Sequence, residues 1–186
     1  MPGAKNAVET CLAVRPEEHV ALIADQASAA VAASLAEALR ERKTAFTGLL
    51  LEDFGPRPMS SAPKPVLDAL EIADVGILCV NPQPGELGAR MAIVQVVERR
   101  RIRYAHMVGV TPQIMQQGMR ADYKKVDQLS DRLRERMVRA QTLTVKTEAG
   151  TSFAAPSVPV AHEGFVGNRG EACFGNDGSG EDRALA

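Results

Sequence analysis

Few imidazoles and thiols are available in this chain to hold a metal or pass a proton. There are three histidines, His19, His106 and His162, and three cysteines, Cys11, Cys79 and Cys173. The acidic residues of interest follow apolar runs: Asp25 after HVALIA, and Glu52 and Asp53 after TAFTGLLL. Asn81 and Pro82 follow DVGILCV in the same way, and His106 lies near the end of RYAHM. If those apolar runs are parallel strands, their carboxyl ends bring Asp25, Glu52, Asp53, Asn81, Pro82 and His106 towards one crevice, where open α/β sheets bind ligands. The alternative is that these residues are helix caps and solvated loop positions. His106 is the histidine best placed for function, against a hydrogen-bonded structural role. His19 falls at a strand start and is expected to be exposed.

Other chemistries fail on spacing. His162-Glu163 begins like HExxH, but Val166 stands where the second histidine must lie one helical turn on. A dinucleotide site needs glycines after the first strand so that backbone can approach phosphate, and the segment there, ADQASAAV, has none. GxxxxGK[ST] is absent, which leaves the acidic pair Glu52-Asp53 a weak ribose signal. Asp177 to Asp182, DGSGED, hints at a calcium loop, but its sixth position is Asp182 where glycine is required. No GxSxG nucleophile elbow occurs. The cysteines are odd in number and widely spaced, and no CxxC occurs, so neither a zinc ribbon nor a disulfide framework is indicated. Cys79, within VGILCV, reads as a small buried hydrophobe.

The elements that position these residues follow from periodicity. Ala4 to Val14 predicts a short amphipathic helix with Val8 and Leu12 on one face, stopped by Arg15-Pro16. His19–Asp25, Thr44–Leu51, Asp74–Val80 and Arg103–Met107 predict strands. Between and after them, helices are expected over Ala27–Lys43, capped by Asp25 or Ser28, over Lys64–Ala73, and over Glu86–Arg100 with Leu87, Met91, Val94 and Val97 inward. Thr111-Pro112 opens another helix, and Asp122–Ala140 predicts a long charged one with Leu129, Leu133 and Met137 every fourth residue. Leu143–Thr147 is a further strand that turns at Glu148-Ala149-Gly150. The alternation predicts an α/β fold: a Rossmann-like parallel sheet of at least four strands, helices on both faces, and no Gly-rich loop. The expected division is an α/β domain over residues 1–147 and the start of a second domain over 148–186. From Ala154 the chain loses periodicity and turns rich in Gly, Ser, Asn and Asp, the composition of a poorly ordered tail.

Composition sets the outer limits. Hydrophobic residues make up 45% and aromatics only 4%, so the core must be aliphatic. The formal net charge of -1 gives no electrostatic footprint for nucleic acid. The basic run Arg99 to Arg103 is read as a solvated helix end. No run approaches the ~18 apolar residues of a membrane span, and MPGAKNAVET has no apolar signal core. With cysteines that fit a reducing compartment, the expectation is a cytoplasmic protein binding neither membrane nor nucleic acid.

Several stretches, taken in order, resemble the aminopeptidase T-like thermophilic metallo-aminopeptidase family. They are NAVETCLAVRPEEHVALIAD, LLLEDFGPRPM, ALEIADVGILCV, RRIRYAHMVGVTPQIMQQGMRADY and LTVKTEAGTSF. The resemblance runs from about residue 5 to Phe153, with Arg103 to Tyr123 its most specific part. It implies an N-terminal α/β domain joined to a catalytic domain whose Glu, His and Asp residues bind two divalent metal ions and which removes N-terminal amino acids from peptides. Family members continue after the Gly-Thr hairpin into a segment like NLPxGEV, whose Glu is a metal ligand. Here neither GE after the hairpin, Gly170-Glu171 or Gly180-Glu181, has an Asn-Leu-Pro before it, so no family ligand carries over to any residue of this chain. The resemblance therefore implies no catalytic, cofactor or metal residue here, a partner in the catalytic domain that this sequence lacks, and a tendency to form homo-oligomers. The related dihydroxypyridine dioxygenases share the architecture. The competing readings are a free-standing binding module using the crevice near Asp53, Asn81 and His106, and an intact enzyme acting through that same crevice.

Overall fold

A computed structural model of the chain describes residues 1–156. The described residues fall into two compact units, Met1–Ala121 and 122–156; the expectations for His162, Cys173 and the tail beyond residue 156 lie outside the described residues.

The first unit is built on a parallel sheet of β1 (His19–Ala24), β2 (Ala45–Leu50), β3 (Val75–Val80) and β4 (Arg103–Val108), in the order β2-β1-β3-β4. The two central strands, HVALIA and VGILCV, carry continuous apolar runs because both of their faces are covered. On one face α1 (Pro2–Asn6), which continues as a π-helical turn to Cys11, packs with α2 (Ala29–Glu41) and α5 (Pro112–Gln116). Leu12, Leu35, Leu39, Ile77, Met107 and Met115 fill that side. On the other face α3 (Lys64–Ile72) and α4 (Leu87–Arg100) cover Ile23, Leu78 and Tyr104. The expected α/β fold, a parallel sheet with helices on both faces, is what forms.

The caps are those the sequence signals. Asp25 accepts from the Ser28 amide while the Ser28 hydroxyl accepts from the Asp25 amide, a reciprocal capping box opening the turn into α2. Thr111 caps α5 through the Ile114 amide, with Pro112 as the first helical residue. Gly76 is fixed by a neighbour: a Cβ there would lie 2.9 Å from both Leu70 Cδ2 and Tyr104 Cδ2, so the glycine makes room for the tyrosine ring on the adjacent strand.

Three local expectations change. The buried side of α4 is Ala89, Ile93, Val96 and Val97, whereas Leu87 and Met91 face solvent; small Ala89 lies against the core in place of the larger residues. His19 is half-buried, its Nε2 2.9 Å from Thr47 Oγ1 on the neighbouring strand, so it is a cross-strand hydrogen-bonding residue and not an exposed one. Residues 154–156, expected to begin the tail, belong to a strand.

The second unit holds α6 (Tyr123–Met137), capped by Asp122 on the Lys125 amide, and an antiparallel pair of β5 (Thr142–Lys146) and β6 (Ser152–Pro156). The LTVKT strand thus forms its own hairpin and adds nothing to the parallel sheet. α6 has no buried residue, and its stripe of Val126, Leu129, Leu133 and Met137 is exposed.

Candidate functional site

The order β2-β1-β3-β4 places a topological switch point between β1 and β3, because the chain leaves β1 towards β2 and returns on the other side as β3. A crevice opens at the carboxyl ends of two such strands. Asp25 stands at the end of β1 and Asn81 at the end of β3, as the apolar runs require. They meet directly: the Asn81 amide donates to Asp25 Oδ2 at 2.7 Å.

A residue from the loop between β2 and α3 fills the crevice. Arg57 donates from Nε to Glu86 Oε1 at 2.7 Å, from Nη2 to Glu86 Oε2 and to the Asn81 carbonyl at 2.9 Å, and from Nη1 to Asp25 Oδ2. Glu52 Oε1 lies 3.6 Å from Nη1, and Glu52 Oε2 accepts from the Gln26 amide at 3.1 Å. The Arg57, Asp25 and Glu86 side chains are 4%, 0% and 5% exposed. A planar guanidinium with five donors suits this role, since it can satisfy two carboxylates and a carbonyl at once. The spare carboxylate capacity is used as well: Glu86 accepts from the Met59 and Gln83 amides, and Asp25 from the Ser28 amide. Every oxygen of the two buried acids is thereby paired.

The protonation states follow. The hydrogen bond from Arg57 outweighs burial at Glu86 and pulls its carboxyl down to about 2. At Asp25 burial is the largest influence and raises the carboxyl, but bonds from Ser28, Arg57 and the Asn81 amide together overcome it, leaving it below its ordinary value. Arg57 is pushed up, chiefly by Glu86. The three groups are thus charged across the neutral range, and neither carboxylate is poised to exchange a proton.

Of the residues expected in the crevice, the structure brings together Asp25, Glu52 and Asn81. Asp53 and Pro82 are exposed. His106 has no part in the network. It lies on the α3–α4 face of β4 with its ring centroid 5.8 Å from that of Tyr104, and burial followed by the Arg90 charge lowers its pKa. Its Nε2, the Tyr104 hydroxyl and Arg90 Nε are buried without a hydrogen-bond partner among the described residues. Cys79 is fully buried, its thiol pushed up to about 11 mainly by burial, the inert state its apolar run suggests.

Sequence reasoning missed Arg57 and Glu86. The one available hint concerned Arg57, a buried strand ending in an acid, Asp25, that needs a cation, and it did not say which arginine answers it; nothing local marked Glu86.

No family model and no curated protein matches the chain. A solved structure to which it is similar is 2,5-dihydroxypyridine dioxygenase from Pseudomonas putida, at 17% identity with a TM-score of 0.50 over 83% of this chain. The match takes in 46% of that enzyme, so the chain spans less than half its length. At this identity the likeness is one of fold. The described residues do not fit the dinuclear metal site of the aminopeptidase family: no three His, Cys, Asp or Glu side chains among them cluster as ligands, and the best-placed acids are engaged by Arg57. Among the described residues no helix is long and apolar enough to cross a membrane.

Proposed function

We propose that this chain is the N-terminal α/β portion of an aminopeptidase T-like protein, which scaffolds a metal-binding catalytic partner and performs no hydrolysis by itself. The observation that carries this reading is the Arg57 network. The crevice where a sheet of this topology takes its ligand is filled by the chain's own guanidinium, with Asp25 and Glu86 committed to it. Water activation for peptide hydrolysis needs a metal or an activated nucleophile, and this end of the sheet is organised around an internal ion pair. The exposed apolar stripe of α6 supports a role in docking, since contiguous apolar surface favours association. Kinship with the dihydroxypyridine dioxygenases is a second reading, favoured by the fold likeness and sharing the same scaffold role.

The purified chain, assayed on a leucine anilide with zinc, cobalt or magnesium, is expected to show no turnover above a metal-only blank. Turnover that follows the chain through purification and disappears with a chelator would overturn the proposal. In that event Glu52, Asp53 and His106 are the first residues to substitute.

A further inference from the structure

The opposite end of the sheet is open. A cavity of 660 Å³ lies where β1, β3 and β4 begin, beside the segment that leaves the N-terminal helix. Arg15, Arg100, Arg101 and Arg103 line it, with Glu18 and Asp74. Four guanidiniums against two carboxylates give this cavity a surplus of positive charge. Both carboxylates are occupied: Glu18 accepts from Arg103 and from the Arg15 amide at 2.8 Å, and Asp74 accepts from the His19 amide at 2.9 Å. Arg103 is committed in turn, donating to the Leu12 and Ala13 carbonyls at 2.7 and 3.0 Å. Among the described residues, the side chains of Arg15, Arg100 and Arg101 have no ion pair or hydrogen bond, whereas Arg99, one residue earlier, pairs with Glu71 outside the cavity.

Backbone conformation singles out the same place. Three non-glycine residues among those described have positive φ, and two of them, Ala13 (φ 45) and Arg101 (φ 53), line this cavity. Arg101 is the C-cap of α4 in the left-handed conformation, where glycine carries no Cβ penalty. Strained non-glycine residues of this kind gather at functional sites. A solvated helix end accounts for Arg99 and Arg100, whose charges suit the helix dipole, but gains nothing from placing an arginine at the position glycine fills best.

We propose that this cavity binds a small molecule bearing a phosphate or pyrophosphate group, held by Arg15, Arg100 and Arg101, with Arg103 as a fixed wall. The volume is that of an ordinary small-molecule site, and the guanidinium fork matches phosphate oxygens two at a time. The proposal is independent of the scaffold reading.

Calorimetric titration of the full chain with inorganic pyrophosphate tests it. One saturable site is expected. Arg101→Gly should weaken binding by about tenfold or more, the loss of a charged hydrogen-bond donor, while raising the unfolding temperature through relief of the left-handed backbone. Arg15→Ala should weaken binding similarly without that gain in stability, and Arg99→Ala should leave affinity unchanged. Absence of saturable binding, Arg101→Gly binding as tightly as the parent chain, or Arg99→Ala losing as much as Arg101→Gly would each overturn the proposal.

Discussion

The two ends of the sheet use arginine in opposite ways. At the carboxyl end the Arg57 side chain is buried and each of its three nitrogens donates to Glu86, Asp25 or the Asn81 carbonyl. At the amino end Arg103 is similarly engaged, but Arg15, Arg100 and Arg101 surround an open cavity with no hydrogen bond or close ion pair to their side chains among the described residues. An arginine among buried carboxylates is a structural element whose removal leaves uncompensated charge. One without a partner, at the rim of a cavity, leaves the fold intact when removed. Position at the switch point is therefore not enough to make a ligand site; what matters is whether the polar groups there are already satisfied.

Substitution should expose that contrast, and the largest effect belongs to the carboxyl end. Arg57→Ala strands two buried carboxylates and is expected to cost about 3–5 kcal/mol in urea unfolding. A cost under about 1 kcal/mol would mean that water already screens the network. Arg103→Ala, which loses two carbonyl bonds and the Glu18 pair, should cost about 1–3 kcal/mol. Arg99→Ala breaks a pair that is 64% and 41% exposed and should cost at most about 1 kcal/mol.

Acid should act on the same network. Glu86 titrates at about 2 in the folded chain against an ordinary 4.5, and Asp25 is lowered too, so the unfolded chain binds protons first as pH falls. The stability these groups contribute is complete above about pH 5 and drains away towards pH 2. In Glu86→Gln the acid limb of a stability–pH curve should be shallower than in the parent chain. An unchanged limb would show that Glu86 is not held ionised by Arg57.

Much of the frame was legible because the buried strands announce themselves. HVALIA and VGILCV are apolar throughout since both faces are covered, and Thr111-Pro112 and Asp25-Gln26-Ala27-Ser28 carry their capping chemistry in local sequence. Asp25, Glu52 and Asn81 could be placed at one edge for the same reason. Arg57 could not, because an arginine in a Pro- and Gly-rich loop looks solvated, and only the fold shows that the loop turns inward over Asp25. The inward side of α4 was obscured because Ala89 contributes little to an apolar pattern while Leu87 and Met91, both exposed, contribute much. The spacing of Leu129, Leu133 and Met137 correctly marks a stripe on α6, but periodicity does not say what covers it.

The contrast between the two ends is tested most directly by following backbone amide signals of the isotope-labelled parent chain as pyrophosphate is added. The account predicts saturable shifts at Ala13, Arg101, Ile102 and Arg103, with Ser28 and Asn81 unmoved because their amides are bonded to Asp25. Shifts at Ser28 and Asn81 with none at Arg101 to Arg103 would contradict it, placing the ligand site at the end that Arg57 fills.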